Sequence, residues 1–95
     1  MRVLVEQVLQ VATKVLDSSI EPREAMTILA TLTHEAVPAA RELRRTDPER
    51  ADAYSELLVA TGRELRTREK TTTDTRHLRA VLDDLAKVVN ALKQT

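Results

Sequence analysis

The chain has 95 residues, with 15 Lys and Arg against 15 Asp and Glu, no Cys, Trp or Phe, one Tyr, one Gly and three Pro. Without cysteine there is no disulfide framework, no thiolate nucleophile and no Cys-based zinc or iron–sulfur site. Formal neutrality argues against a dedicated binder of nucleic acid or anionic membrane, which works by accumulating positive charge on one face. Leu, Ile and Val make up about a quarter of the chain, above the level expected of a disordered segment. A single domain over 1–95 is expected, near the lower end of what closes a core unaided, so oligomerisation is expected with it. The N-terminal segment reaches Glu6 and Gln7 before any apolar run is long enough for a signal peptide or a membrane span. A cytoplasmic protein is the corresponding expectation.

One glycine and three prolines are too few turn formers for a many-stranded sheet, and Ala, Leu, Arg and Glu favour helix. The first predicted helix, about 2–17, carries two adjoining stripes, Leu4-Val8-Val11-Val15 and Val5-Leu9-Ala12-Leu16. Together they cover about half the cylinder, more than a surface helix needs. Asp17-Ser18-Ser19 ends it. The second, about 21–45, opens at Pro22, which suits a first turn because its missing N–H has no intrahelical partner there. Ile20 can fold back toward Ala25 as a hydrophobic staple. Ala25, Leu29, Leu32, Ala36, Ala39 and Leu43 then advance by alternating steps of four and three, the spacing of a helix-pairing seam. Pro38 removes a backbone bond and predicts a kink or break nearby.

Asp47-Pro48-Glu49 marks the start of the third helix, about 48–68, with Asp47 as N-cap. Ala51, Tyr54, Leu58, Thr61 and Leu65 form its apolar side, with Leu57 beside them, and Gly62 weakens it by about 1 kcal/mol relative to Ala. A polar stretch follows, read as a flexible loop around 67–73. Thr73-Asp74 caps the fourth helix, about 74–93, whose stripe is Leu78, Leu82, Leu85, Val89 and Leu92, flanked by Val81 and Val88. Asp83 and Lys87 are spaced as an i,i+4 ion pair. The predicted fold class is all-α, an antiparallel four-helix bundle completed or extended by dimerisation. Val5, Val8, Leu9, Val81 and Val88 are the interface candidates, because the first and fourth helices carry more apolar face than one partner covers.

His34-Glu35 with Pro38 beyond is the most suggestive polar group. It resembles the phosphoacceptor box of histidine-kinase dimerisation domains, in which a helical hairpin dimer presents an imidazole and a proline bends the helix after it. That resemblance implies phosphotransfer through His34, with the adjacent carboxylate orienting the ring. Here the proline stands four positions after the histidine, Ala36-Val37 fills the step between them, and no Gly-rich ATP-binding region follows.

A metal site is not expected. Asp74 and His77 are spaced to share a helix face, but protein metal sites need three or four ligands, and Asp74 reads as a cap. No cofactor is expected either, since one glycine cannot build a phosphate-cradling loop. Residues 63–79 hold Arg63, Arg66, Arg68, Lys70, Arg76 and Arg79 against Glu64, Glu69 and Asp74, which makes nucleic-acid binding a third reading. Stacking aromatics are absent from that segment. The leading expectation is a small non-enzymatic homodimer that engages another protein as adaptor, assembly factor or regulator, without a membrane. Phosphotransfer through His34 is the alternative.

Overall fold

A computed structural model describes residues 2–68 and 75–93, which form α1 (Arg2–Leu16), α2 (Pro22–Thr46), α3 (Pro48–Arg68) and α4 (Thr75–Lys93). No strand occurs among the described residues, and the predicted helix limits hold to within one residue. Thr67 and Arg68, expected in a loop, are the last turn of α3, where the Thr67 hydroxyl donates to the Arg63 carbonyl at 2.9 Å. The rest of the expected loop, with Asp74, lies outside the described residues.

The helix ends follow from local chemistry. After α1, Ser18 adopts a left-handed φ of 65°. The Ser19 N–H then donates to the Lys14 carbonyl at 2.9 Å and the Ser18 N–H to the Val15 carbonyl at 3.3 Å. This is a Schellman termination with serine in the place glycine usually takes. The Asp17 carboxylate accepts from the Ser19 N–H at 3.0 Å and from the Ser19 hydroxyl, which fixes the turn. At the other junction Asp47 alone separates α2 from α3. Its N–H donates to the Leu43 carbonyl at 2.7 Å, closing α2. Its carboxylate accepts from the Arg50 N–H at 3.2 Å, the N-cap bond expected of Asp before Pro.

Arg44 reinforces this junction. Its Nη1 donates to the Asp52 carboxylate at 2.6 Å and to the Pro48 carbonyl at 3.1 Å. The arginine side chain is 13% exposed and the aspartate 61%.

Pro38 does not break α2, which runs unbroken from Pro22 to Thr46. His34 and Pro38 are both exposed. The carbonyl freed by the missing N–H therefore lies on the wet side of the helix, where water can bond it.

The core is aliphatic. Met26, Leu29, Leu58, Leu65 and Leu92 are its largest fully buried side chains, with Val and Ala filling the remainder. Each such Leu or Val contributes about 1.5–3 kcal/mol by burial. Helix α1 packs on α2 and α3, and α4 packs on α2 and α3. Most of both stripes of α1 is thus covered inside the chain, with Leu4 and Leu16 half-buried. The five interface candidates, Val5, Val8, Leu9, Val81 and Val88, are all buried within the single chain, Leu9 at the floor of an open groove. Most of the apolar excess inferred from the first and fourth helices is covered inside the chain, because each has two neighbours where one was assumed; Leu82, like Leu4 and Leu16, stays half-buried.

The seam on α2 also differs from its sequence reading. Leu32 is half-buried, and Thr33, with Met26 and Ala40, takes part in the buried arc. The Thr33 hydroxyl donates to the Leu29 carbonyl one turn back, as Ser55 does to Asp52 at 2.8 Å and Thr61 to Leu57 at 2.8 Å. These buried hydroxyls are satisfied by their own helix and act as small packing groups.

Candidate interaction surface

Among the described residues, an open furrow lies on each flank of α3. Toward α1, a groove of about 580 Å3 is lined by Leu9, Thr13, Tyr54 and Leu57, with Glu6 and Lys14 also on its walls. Tyr54 and Leu57 are half-buried, packing partly against the core and partly lining this groove. Sequence periodicity had put Tyr54 on the buried side of its helix; Ser55 occupies that position instead, fully buried beside Ala51 and Leu58. A small hydroxyl lets α3 settle close to its neighbours, and the tyrosine ring is displaced to the flank.

Toward α4, a furrow of about 280 Å3 has Leu58, Val59, Gly62, Leu85 and Val89 along its floor. It adjoins a second hollow of about 340 Å3 lined by Leu78, Arg79 and Asp83, the two sharing Arg66 and Leu82. Leu82, read from spacing as a seam residue of the fourth helix, is half-buried here. Arg63 and Arg66 of α3 and Arg79 of α4 stand exposed along the furrow. No carboxylate among the described residues pairs with these three guanidinium groups. The basic segment noticed in the sequence thus gathers part of its charge at one apolar furrow; Arg68 and Lys70 are not among the described side chains.

The expected ion pair of the fourth helix is replaced. Lys87 reaches Asp84 at 3.8 Å, three residues back, while Asp83 turns to the hollow beside Arg79.

His34 and Glu35 are exposed on α2. Neither side chain makes a hydrogen bond or ion pair among the described residues, so the ring is not held by the carboxylate beside it. His77 is half-buried in the first turns of α4. Among the described residues, no three side chains of the metal-ligating types gather at one place, and no helix is long and apolar enough to cross a membrane.

The furrows were not legible as such in the sequence. Their signal is the exposure of Leu57, Val59 and Leu82, which depends on how far α3 stands from α1 and α4, a quantity that periodicity does not carry. No known protein family, curated protein or solved structure matches the chain.

Proposed function

We propose that the chain is a non-enzymatic helical interaction module of the cytoplasm, an antiparallel four-helix bundle that pairs with a second copy and engages another protein through the flanks of α3. The carrying observation is the pair of open apolar furrows on either side of α3, beside a buried aliphatic core.

The antiparallel reading is supported by length. At 1.5 Å per residue α2 is about 37 Å long, nearly the whole 40 Å long dimension of the molecule. Helix α3 follows after one residue and is about 31 Å long, more than either short dimension of 23 and 19 Å. These dimensions favour a chain that folds back alongside α2. The neighbour pairs α1–α2, α2–α4, α4–α3 and α3–α1 form a closed ring, as a bundle requires.

Self-pairing is favoured at the α1–α3 groove. Glu6 and Lys14 stand two turns apart on α1, and the groove between them is floored by Leu9 and Leu57. A two-fold axis across this groove brings Glu6 of one copy to Lys14 of the other, a self-complementary arrangement. Sedimentation at micromolar concentration tests it: a dimer is expected, Leu57→Lys should give a monomer, and a monomeric wild-type chain would remove the self-pairing from the proposal.

A further inference from the structure

Gly62 lies inside α3 with an ordinary helical backbone, since its φ is not positive. Glycine at such a position costs about 1 kcal/mol relative to alanine. Crowding does not require it: a Cβ built on Gly62 would meet Leu82 Cδ2 at 3.5 Å, ordinary van der Waals contact. Neither backbone geometry nor the packing of α4 accounts for the glycine. What its missing side chain does is deepen the floor of the α3–α4 furrow at its middle, between Leu58 and Arg66.

The furrow runs along α4 from Leu78 to Asn90, about 18 Å at helical rise, which matches three turns of a guest helix. Its floor is apolar, and cationic groups that pair with no carboxylate among the described residues stand along it at Arg63, Arg66 and Arg79. A guest with apolar anchors at i, i+4 and i+7 would fill the floor, and acidic side chains on its flanks would meet the guanidinium groups. Nucleic acid fits less well, because Asp83 shares the cationic end and the floor offers apolar rather than stacking contacts.

We propose that the furrow between α3 and α4 is the docking groove for one acidic amphipathic helix of a partner protein, seated over Gly62 and clamped by Arg63, Arg66 and Arg79. This rests on the interaction-module reading and specifies the chemistry of the partner.

The test uses the full chain and two fluorescein-labelled synthetic helical peptides of about 12 residues, the length that spans the furrow. Both carry Leu at i, i+4, i+7 and i+11; one has Glu and the other Lys at the flanking positions. Anisotropy titration should show the Glu peptide binding about tenfold or more tightly than the Lys peptide, the effect of one or two charge-assisted contacts. Arg66→Glu combined with Arg79→Glu should reverse the preference. Gly62→Leu should abolish binding of the Glu peptide, with circular dichroism confirming that the variant is folded. Equal binding of the two peptides, binding of neither, or a preference unmoved by the charge reversal would overturn the proposal. So would an oligonucleotide that displaces the bound peptide at lower concentration than unlabelled peptide does. If the docking proposal fails while the wild-type chain still dimerises through Leu57, the module reading stands without it; if the chain is monomeric as well, both fall.

Discussion

Replacing Gly62 by alanine should stabilise the protein, although Gly62 sits between two packed helices. Two contributions act in the same direction. The backbone of α3 at this position is helical, so alanine recovers the propensity difference of about 1 kcal/mol, part of it through lost freedom of the unfolded chain. The added methyl meets Leu82 Cδ2 at 3.5 Å without overlap and is half-buried where it lies. A fully buried methylene is worth about 0.8 kcal/mol, so this one adds about half that. The sum, about 1–1.5 kcal/mol, raises the thermal midpoint of a domain this size by about 5–10 °C, at 4–8 °C per kcal/mol. Thermal unfolding followed by circular dichroism, with wild type and variant at equal concentration, measures it. An unchanged or lowered midpoint would mean that α3 and α4 approach more closely at Gly62 than the geometry here allows, and would remove the ground for linking the glycine to the furrow.

Ser18→Gly should stabilise the chain by about 0.5–1 kcal/mol in urea unfolding, since a non-glycine residue at φ 65° bears a steric cost of that order; a destabilised variant would show that the serine side chain outweighs the strain. Asp47→Ala should cost about 1 kcal/mol by removing the carboxylate that accepts from the Arg50 N–H, and a loss under a few tenths would mean that Pro48 alone sets the start of α3. Arg44→Ala should cost about 1–2 kcal/mol, through the lost bond to the Pro48 carbonyl and the lost packing of its stem. Asp52→Ala should cost less than about 1 kcal/mol, because the aspartate is exposed and screened. Arg44→Met should fall between the two, since it restores the stem and removes the buried Nε, which has no hydrogen-bond partner. Equal losses for Arg44→Ala and Asp52→Ala would assign the effect to the ion pair instead.

Helix number, limits and capping were legible because they depend on local chemistry: proline at a first turn, aspartate before proline, a stripe at helical spacing. The buried arc of α2 was harder. Leu32 looked like the seam residue because it is apolar, yet Thr33 is buried and Leu32 half-exposed. A threonine that bonds its own helix behaves as a small aliphatic group, and the three helices around α2 select for close approach over side-chain hydrophobicity. The same competition displaced Tyr54 in favour of Ser55. The choice between Asp83 and Asp84 for Lys87 could not be made from spacing either, since i,i+3 and i,i+4 partners are both within reach.

The apolar width of α1 bears most directly on where to look for function. Taken alone, a helix with two apolar stripes implies a surface awaiting a partner, at Val5, Val8 and Leu9. In the folded chain Val5 and Val8 belong to the core, and Leu9 is nearly buried at the floor of the groove toward α3. Helix α3 is the reverse case. Its pattern is less regular, its buried side includes Ser55 and Thr61, and Tyr54, Leu57 and Val59 are left half-exposed on its flanks. A strong stripe can be consumed internally because it packs well against any neighbour, while an irregular one cannot close against both of its neighbours and leaves furrows. Under the proposed interaction reading, the surface offered to a partner therefore centres on the helix with the weakest apolar stripe, and substitutions at the exposed furrow positions of α3, with Arg79 facing them from α4, are the ones that should alter binding without first unfolding the chain.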